Sequence, residues 1–174
     1  MGRARGGLNR SRATTVAVIA DTHMPRGSRR LPERCVELMA DADAIIHAGD
    51  FMTVAVLEEI EALGPPVHGV YGNVDEPALR RRLPETLEVE FSGARIAVIH
   101  DAGPRRGRAE RLRARFPEAD CVIFGHSHMP EHVRAGGLQV FNPGSPTERR
   151  RAPSRSMGLL EVRGGEVKLR HFRL

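Results

Sequence analysis

The sequence predicts an α/β fold. Two observations carry this: the first two thirds alternate apolar, β-branched runs with helical patterns, and the last third breaks into short strands punctuated by Gly-Gly and Pro-Gly. A third observation says where function lies. Five of the apolar runs end abruptly in Asp, Asn or His, and in open α/β sheets ligands lie beyond the carboxyl ends of strands.

The run Thr15-Val16-Ala17-Val18-Ile19 has polar chain on both sides and reads as a strand covered on both faces. It leads into Asp21 and His23. Where the chain stays near-extended, residues two apart point the same way, so both can reach one metal ion. Residues 25–30 form a loop in which Arg26 and Arg29 are candidates to meet a substrate phosphate. Pro32 then sits where a helix begins, with Cys35, Val36, Leu38 and Met39 at helical spacing. Ala44-Ile45-Ile46 is a short buried strand that runs into His47-Ala48-Gly49-Asp50, making Asp50 the second candidate ligand and His47 a packing or supporting histidine. Thr53 can cap a helix with Val54, Leu57, Ile60 and Leu63 on one face, and Gly64 with Pro65 and Pro66 stops it.

Residues 67–71 form a third strand that ends in Gly72-Asn73-Val74-Asp75, an amide where the earlier strands place carboxylates. A polar segment with Arg80, Arg81 and Arg82 follows. Residues 87–91 and 95–99 alternate as a hairpin turning at Ser92-Gly93-Ala94, and its second strand ends in His100. Residues 105–116 form a helix with few apolar positions, so its arginines are expected to make a solvated face. Residues 121–124 form a buried strand ending in Gly125-His126-Ser127-His128. Short strands over 131–134, 138–141, 158–162 and 167–172 give an antiparallel C-terminal third, with a polar, Arg-rich loop at 149–156. His68, His132 and His171 read as surface or structural histidines.

The chain has 174 residues, 40% hydrophobic and 28% charged, which suits one soluble domain over 14–174 preceded by a disordered basic tail over 1–13. No apolar run approaches the roughly 20 residues that a membrane-spanning helix needs. The net charge of +5 comes largely from Arg3, Arg5, Arg10 and Arg12 in the tail, leaving the body near neutral, so no nucleic-acid footprint is read from it. No apolar segment follows these arginines, so they are not a secretory signal. Cys35 and Cys121 sit in apolar surroundings that suit reduced core thiols, and a cytoplasmic location is expected. Assembly into dimers or tetramers is left open.

The strand-end residues collect into Asp21, His23, Asp50, Asn73, His100, His126 and His128. Seven donors exceed the four of a tetrahedral zinc but suit two ions that share a bridging carboxylate. Mixed nitrogen and oxygen donors favour manganese, iron, zinc, cobalt or nickel over calcium. Two divalent cations against the two carboxylates leave a surplus of about +2, which suits an anionic phosphoryl group.

This ordered series resembles the calcineurin-like metallophosphoesterases, whose motifs are Asp-x-His, Gly-Asp, Gly-Asn, a lone His and Gly-His-x-His. His-Ala-Gly-Asp at 47–50 and Asn-Pro-Gly-Ser at 142–145 resemble the small prokaryotic phosphodiesterase branch. The resemblance implies a two-sheet β-sandwich flanked by helices, a four-layer αββα arrangement. It also implies two divalent transition-metal ions, manganese first among them. One would be held by Asp21, His23, Asp50 and His128, the other by Asp50, Asn73, His100 and His126, with Asp50 bridging and Asp50, Asn73 and His100 also serving catalysis. The implied reaction is hydrolysis of a small organic or nucleotide phosphate ester, most readily a diester, by hydroxide generated at the metals.

Two departures mark this chain. In the wider superfamily Gly-Asn is followed by a histidine that protonates the leaving oxygen, whereas Val74 stands here. His100 is followed by Asp101-Ala102-Gly103, where many relatives have Gly-His. Two alternatives have a different function. One is a non-catalytic scaffold, since the fold resembles the vacuolar sorting subunit of retromer, although there the metal centre is degraded and here all seven positions are intact. The other is a nuclease, whose relatives usually carry an additional domain.

Overall fold

The computed structural model describes residues 12–174. Its elements run β1 (Thr14–Ile19), α1 (Glu33–Ala40), β2 (Ala44–His47), α2 (Val54–Glu61), β3 (Val67–Gly69), α3 (Pro77–Arg82), β4 (Thr86–Phe91) and β5 (Ala94–Ile99). They continue with α4 (Arg108–Arg115), β6 (Cys121–Ile123), β7 (Glu131–Ala135), β8 (Leu138–Asn142), β9 (Ser156–Arg163) and β10 (Glu166–Arg173).

The strands form two five-stranded sheets, ordered β10-β9-β1-β2-β3 and β4-β5-β6-β8-β7. Between them lies a layer of small and branched side chains, among them Val16, Val18 and Ile46 from the first sheet and Ile96, Val98 and Ile123 from the second. The β-branched residues alternate by face, so the other residues of the same strands serve a different layer. Ala17, Ile19 and Ile45 pack beneath Cys35, Met39, Leu57 and Ile60 of α1 and α2. Ala97, Val122 and Val140 pack under Leu112 of α4 with Phe116 and Ala119. The result is the expected four-layer sandwich of two sheets flanked by helices.

The topology places the strand ends. β1, β2 and β3 are parallel, with Ile19 opposite His47 and His47 opposite Gly69, so the segments after them leave from one edge. β5 and β6 are parallel with Val98 opposite Ile123, which sends residues 100 and 125–128 out together. Backbone bonds knit the exits: Asp21 N–H donates to the Gly49 carbonyl at 2.9 Å, His23 N–H to that of Asp50 at 3.0 Å, and Gly125 N–H to that of His100 at 3.0 Å.

Several local expectations are corrected. The segment around Arg80 to Arg82 is the short helix α3, started by Pro77 in its first turn. β8 is antiparallel to β7 but parallel to β6, so the C-terminal third is mixed. Thr53 occupies the N-cap of α2 without a side-chain bond to the helix; Glu76 takes that role, accepting the Val54 N–H at 2.7 Å. Arg108 of α4 is not part of a wet face: it pairs with both Glu131 oxygens at 2.9 Å and lies over the Phe124 ring. Cys35 and Cys121 are buried free thiols, and burial pushes Cys35 up to about 12 and Cys121 higher still. The tail expected over 1–13 falls outside the described residues as far as residue 11; Arg12 pairs with Asp43 at 2.8 Å. No helix among the described residues is long and apolar enough to cross a membrane.

Ile46 lies wholly inside the inter-sheet layer. Truncating a buried Ile to Ala removes transfer energy and leaves a cavity, so Ile46→Ala should lower unfolding stability by about 2–5 kcal/mol. Urea denaturation measures it, and a loss below about 1 kcal/mol would contradict the assignment of this layer as the main core.

Candidate metal centre

The loops at the shared edge do not stay extended. Asp21 (φ 56°), His23 (φ 44°), Asp50 (φ 63°), His126 (φ 68°) and His128 (φ 58°) all occupy the left-handed region. The expectation that Asp21 and His23 point alike because the chain runs extended is therefore corrected: each turns through positive φ, as Asp and His tolerate better than most residues. Such conformations persist only where surroundings over-determine them, and they concentrate at functional sites.

Two glycines permit the close approach of these loops. A Cβ on Gly49 (φ 92°) would meet His100 Nδ1 at 2.6 Å and the Gly72 nitrogen at 2.9 Å, and a Cβ on Gly72 would collide with the Asp50 carboxylate. The buried Asp75 carboxylate then ties the two loops together. It accepts the N–H groups of Asp50 at 3.1 Å, Met52 at 2.7 Å and Gly72 at 2.7 Å. In return Val74 N–H donates to Asp50 Oδ1 at 3.0 Å.

All seven residues expected as ligands converge. Ligand atoms of Asp21, His23 and His128 lie within 4.8 Å of one another, as do those of Asp21, Asp50 and His100. Asp50 Oδ2 lies 3.2 Å from His23 Nε2 and 3.3 Å from His100 Nε2, and so faces both halves of the cluster. Asn73 Oδ1 faces His100 Nε2 at 2.9 Å and His126 Nδ1 at 3.0 Å. Asp21, His23, Asp50, His100 and His128 are buried, whereas Asn73 and His126 are exposed, so the cluster is closed on one side and open on the other.

The buried atoms ask for a cation. Asp21 Oδ2, both ring nitrogens of His23 and His128 Nδ1 are buried with no hydrogen-bond partner among the described residues. Buried polar atoms are otherwise almost always paired. His100 Nδ1 donates to the Ala48 carbonyl at 2.7 Å, which directs Nε2 towards two oxygens that can only accept. A divalent ion can take Asp21 Oδ2, His23 Nε2 and the His128 Nε2 that lies 3.6 Å from Asp21, while His128 Nδ1 faces Glu148; the mixed imidazole, carboxylate and amide set suits a transition metal.

Electrostatics agree. Burial pushes the Asp21 carboxyl up to about 7. Burial also raises Asp50, but the imidazoles of His100 and His23 against it outweigh that and hold the carboxyl well below the usual range. His100 is raised, the loss of solvation being outweighed by its bond to Asp50 and the charge of Asp21. Burial drives His128 down to about 4, keeping it neutral and able to ligate.

A supporting layer lies behind the cluster. Glu148 Oε2 stands 3.5 Å from His128 Nδ1 and 3.4 Å from Arg150 Nε, while its Oε1 accepts from Arg29 Nη2 at 2.9 Å. Ser145 Oγ donates to the Asp21 carbonyl at 2.8 Å and Thr147 Oγ1 to that of Thr22 at 2.6 Å, fixing the first ligand loop from below. His47 is fully buried and stacked on Phe51, with Nδ1 accepting Gly49 N–H at 3.1 Å and Nε2 beside Thr22 Oγ1. Burial takes it down to about 3, so it packs and does not titrate near neutrality.

The remaining candidates are dispersed. Arg29 serves Glu148, Arg26 is exposed, and His132 bonds Gln139 on the surface. His171 stacks on Phe141 and His68 meets Phe91 edge-on. Sequence reasoning missed the clamp at Asp75 and the support from Glu148. Asp75 had a signal, a carboxylate inside a strand-end motif; Glu148 had none, since it lies in an Arg-rich loop 20 residues beyond His128.

A profile described as the calcineurin-like phosphoesterase superfamily domain matches residues 15–165. A protein of Methanothermobacter thermautotrophicus named "probable metallophosphoesterase" is 35% identical over 134 residues, covering 76% of this chain and 77% of its own. A protein of Methanocaldococcus jannaschii named a phosphodiesterase is 24% identical over 142 residues, covering 74% of this chain and 82% of its own. Among solved structures, vacuolar protein sorting 29 of Cryptosporidium parvum superposes with a TM-score of 0.77 at 21% identity, over 93% of this chain and 99% of that one, a likeness of fold.

Loading metal should displace the proton that Asp21 holds in its absence, because burial raises its carboxyl to about 7. At pH 6 loading should therefore release about one proton per chain from Asp21 that is missing from the release at pH 8.5, since ligands bind metal deprotonated. Titration with Mn²⁺ or Zn²⁺ in weakly buffered indicator dye reads this directly. Release that does not change with pH would contradict these protonation states.

Proposed function

Because the chain belongs to the calcineurin-like phosphoesterase superfamily, we propose that it is a phosphoesterase working through two divalent transition-metal ions, and more narrowly a phosphodiesterase for small organic or nucleotide esters. The observation that carries this reading is the buried cluster in which Asp21 Oδ2 and the His23 ring have no hydrogen-bond partner among the described residues, with His23 Nε2 3.2 Å from Asp50 and His128 Nε2 3.6 Å from Asp21. Asp21, His23, Asp50 and His128 would hold one ion, and Asp50, Asn73, His100 and His126 the other. Bound there, the two ions would supply a nucleophile from water near neutral pH and offset the charge gathering on the phosphoryl oxygens. Manganese is the first expectation, with iron, zinc, cobalt and nickel as alternatives.

The chain's own residues do the rest. Asp50, held ionised by its imidazole neighbours, is available to both halves at once. Asp75 fixes the loops of Asp50 and Asn73 against each other, so the two halves keep their spacing. Asn73 and His126 line the open side and meet an incoming phosphoryl group first. No serine or cysteine nucleophile is needed. A scaffold role has weaker support, since the likeness to vacuolar protein sorting 29 is one of fold.

Metal-loaded protein should contain two ions per chain by elemental analysis and lose its activity in excess chelator. Asp50→Asn should cut kcat/KM by more than about 100-fold, since even supporting residues one step further out cost about 10–100-fold. His132→Ala should be near normal. A saturating content of one ion or none, or full activity in chelator, would sink the two-metal reading.

A second prediction follows from Val74, whose exposed side chain offers no proton beside Asn73. General acid catalysis is typically worth about 10²- to 10⁴-fold and matters most for basic leaving groups. Bis(p-nitrophenyl) phosphate should therefore be hydrolysed readily and glycerol phosphate poorly. Equal turnover of the two would mean that a proton donor acts from elsewhere.

A further inference from the structure

A cleft of about 480 Å³ opens beside the exposed half of the cluster, with Asn73 and His100 at its inner end and Tyr71, Arg80, Glu85, Asp101 and Arg115 among its walls. Its two arginines are not equivalent. Arg115 pairs with Glu85 at 3.4 Å, whereas Arg80 has no carboxylate partner among the described residues. Its bonds go to main-chain oxygens, Nη2 to the Asn73 carbonyl at 3.0 Å and Nε to that of Asp75 at 3.3 Å, and the guanidinium lies 5.1 Å over the Tyr71 ring. Those contacts fix its orientation and leave it outside any ion pair among the described residues, with Asp101 engaged by the Gly103 N–H at 2.8 Å.

We propose that this cleft receives the leaving half of the ester and that Arg80 stabilises the departing oxygen there by charge, in the place where Val74 supplies no proton. This inference rests on the phosphoesterase reading above. Asp21, His23 and His128 close the buried side, so a phosphoryl group enters from the side of Asn73 and His126. In-line displacement from the closed side then leaves the departing oxygen pointing outward, into the cleft. A water-derived oxygen forms the new bond to phosphorus, its proton passing to solvent, and the ester P–O bond breaks. The departing oxygen keeps that electron pair as a phenoxide or alkoxide and takes its proton afterwards from solvent. Arg80 gives up no proton; a guanidinium beside the forming anion lowers its energy as a preorganised donor does. The substrate class is accordingly a diester whose leaving group departs as an anion and has a planar or polar body that fits against Tyr71 and Arg80.

The test is kcat/KM across aryl and alkyl diesters for wild type, Arg80→Met and Arg80→Lys, with metal content measured alongside. Losing one such donor costs about 10²-fold where charge develops fully, so Arg80→Met should lose about tenfold on p-nitrophenyl esters and about 100-fold on phenyl or alkyl ones. Arg80→Lys should fall between, added methylguanidinium should restore part of the lost rate in Arg80→Met, and metal content should stay at the wild-type value. A uniform loss across the series, absent rescue, or loss of metal would overturn the proposal and leave Arg80 as a brace for the Asn73 loop. Wild-type protein that hydrolyses none of the esters overturns the phosphoesterase reading and this inference together; an active wild type with an unchanged slope in Arg80→Met overturns this inference alone.

Discussion

Asp21 and Asp50 sit beneath His23, His100 and His128, all of them almost without solvent contact. Taking a carboxylate out of water costs several kcal/mol unless charge or hydrogen bonds replace the water, and the two are treated differently. Asp50 receives the Val74 N–H and lies against two imidazoles. Asp21 has the His126 N–H on one oxygen and nothing on the other among the described residues. The protein alone therefore keeps one carboxylate charged and holds the other near its titration point. Cations between them would remove that imbalance, and much of the local architecture is what such burial demands: five of the candidate ligand residues in left-handed backbone, glycines where loops cross, and a third carboxylate spent on holding backbone.

The strain is tolerable because the sandwich beneath is dense. Each left-handed non-glycine residue costs on the order of 1 kcal/mol, against fully buried Val, Ile and Leu side chains worth about 1.5–3 kcal/mol each. Parallel pairing of β1, β2 and β3, and of β5 and β6, brings five chain exits to one edge, so rigid strands and not mobile loops set the spacing of the donors. The same geometry divides the site into a closed half under β1 and an open half around Asn73 and His126, and a substrate has only the open half to approach.

Much of this was legible in the sequence because burial writes itself into composition. Val16 to Ile19, Ala44 to Ile46 and Cys121 to Ile123 are short apolar runs, and each gives way to a polar donor at the point where the chain leaves the core. The seven candidate residues were singled out because five such runs each end in Asp, Asn or His, and the resemblance to a known family then divided them into two expected ligand sets. What escaped has a physical reason in each case. Left-handed backbone at Asp21 or His128 leaves no mark in residue type, since neither is glycine. α3 is too short and too rich in arginine to show an apolar period. Glu76 and Glu148 act across 22 and 20 residues of sequence on Val54 and His128, and such long-range pairings have no spacing to read.

Charge accounting explains why a centre with four carboxylates nearby can still attract an anion. Asp75 spends its oxygens on three main-chain N–H groups. Glu148 is countered by Arg29 and Arg150. Only Asp21 and Asp50 face the donors directly, so the two proposed ions would leave a surplus of about +2, concentrated within a few ångströms and poorly screened because its surroundings are dry. Arg80, which is in no ion pair among the described residues, would add to that positive charge at the adjoining cleft, whose walls also carry Glu85 and Asp101. Attraction for a phosphoryl group would thus arise from the proposed ions and Arg80, while Arg12, Arg82, Arg108 and Arg115 are each paired with an acidic neighbour and would add little to it.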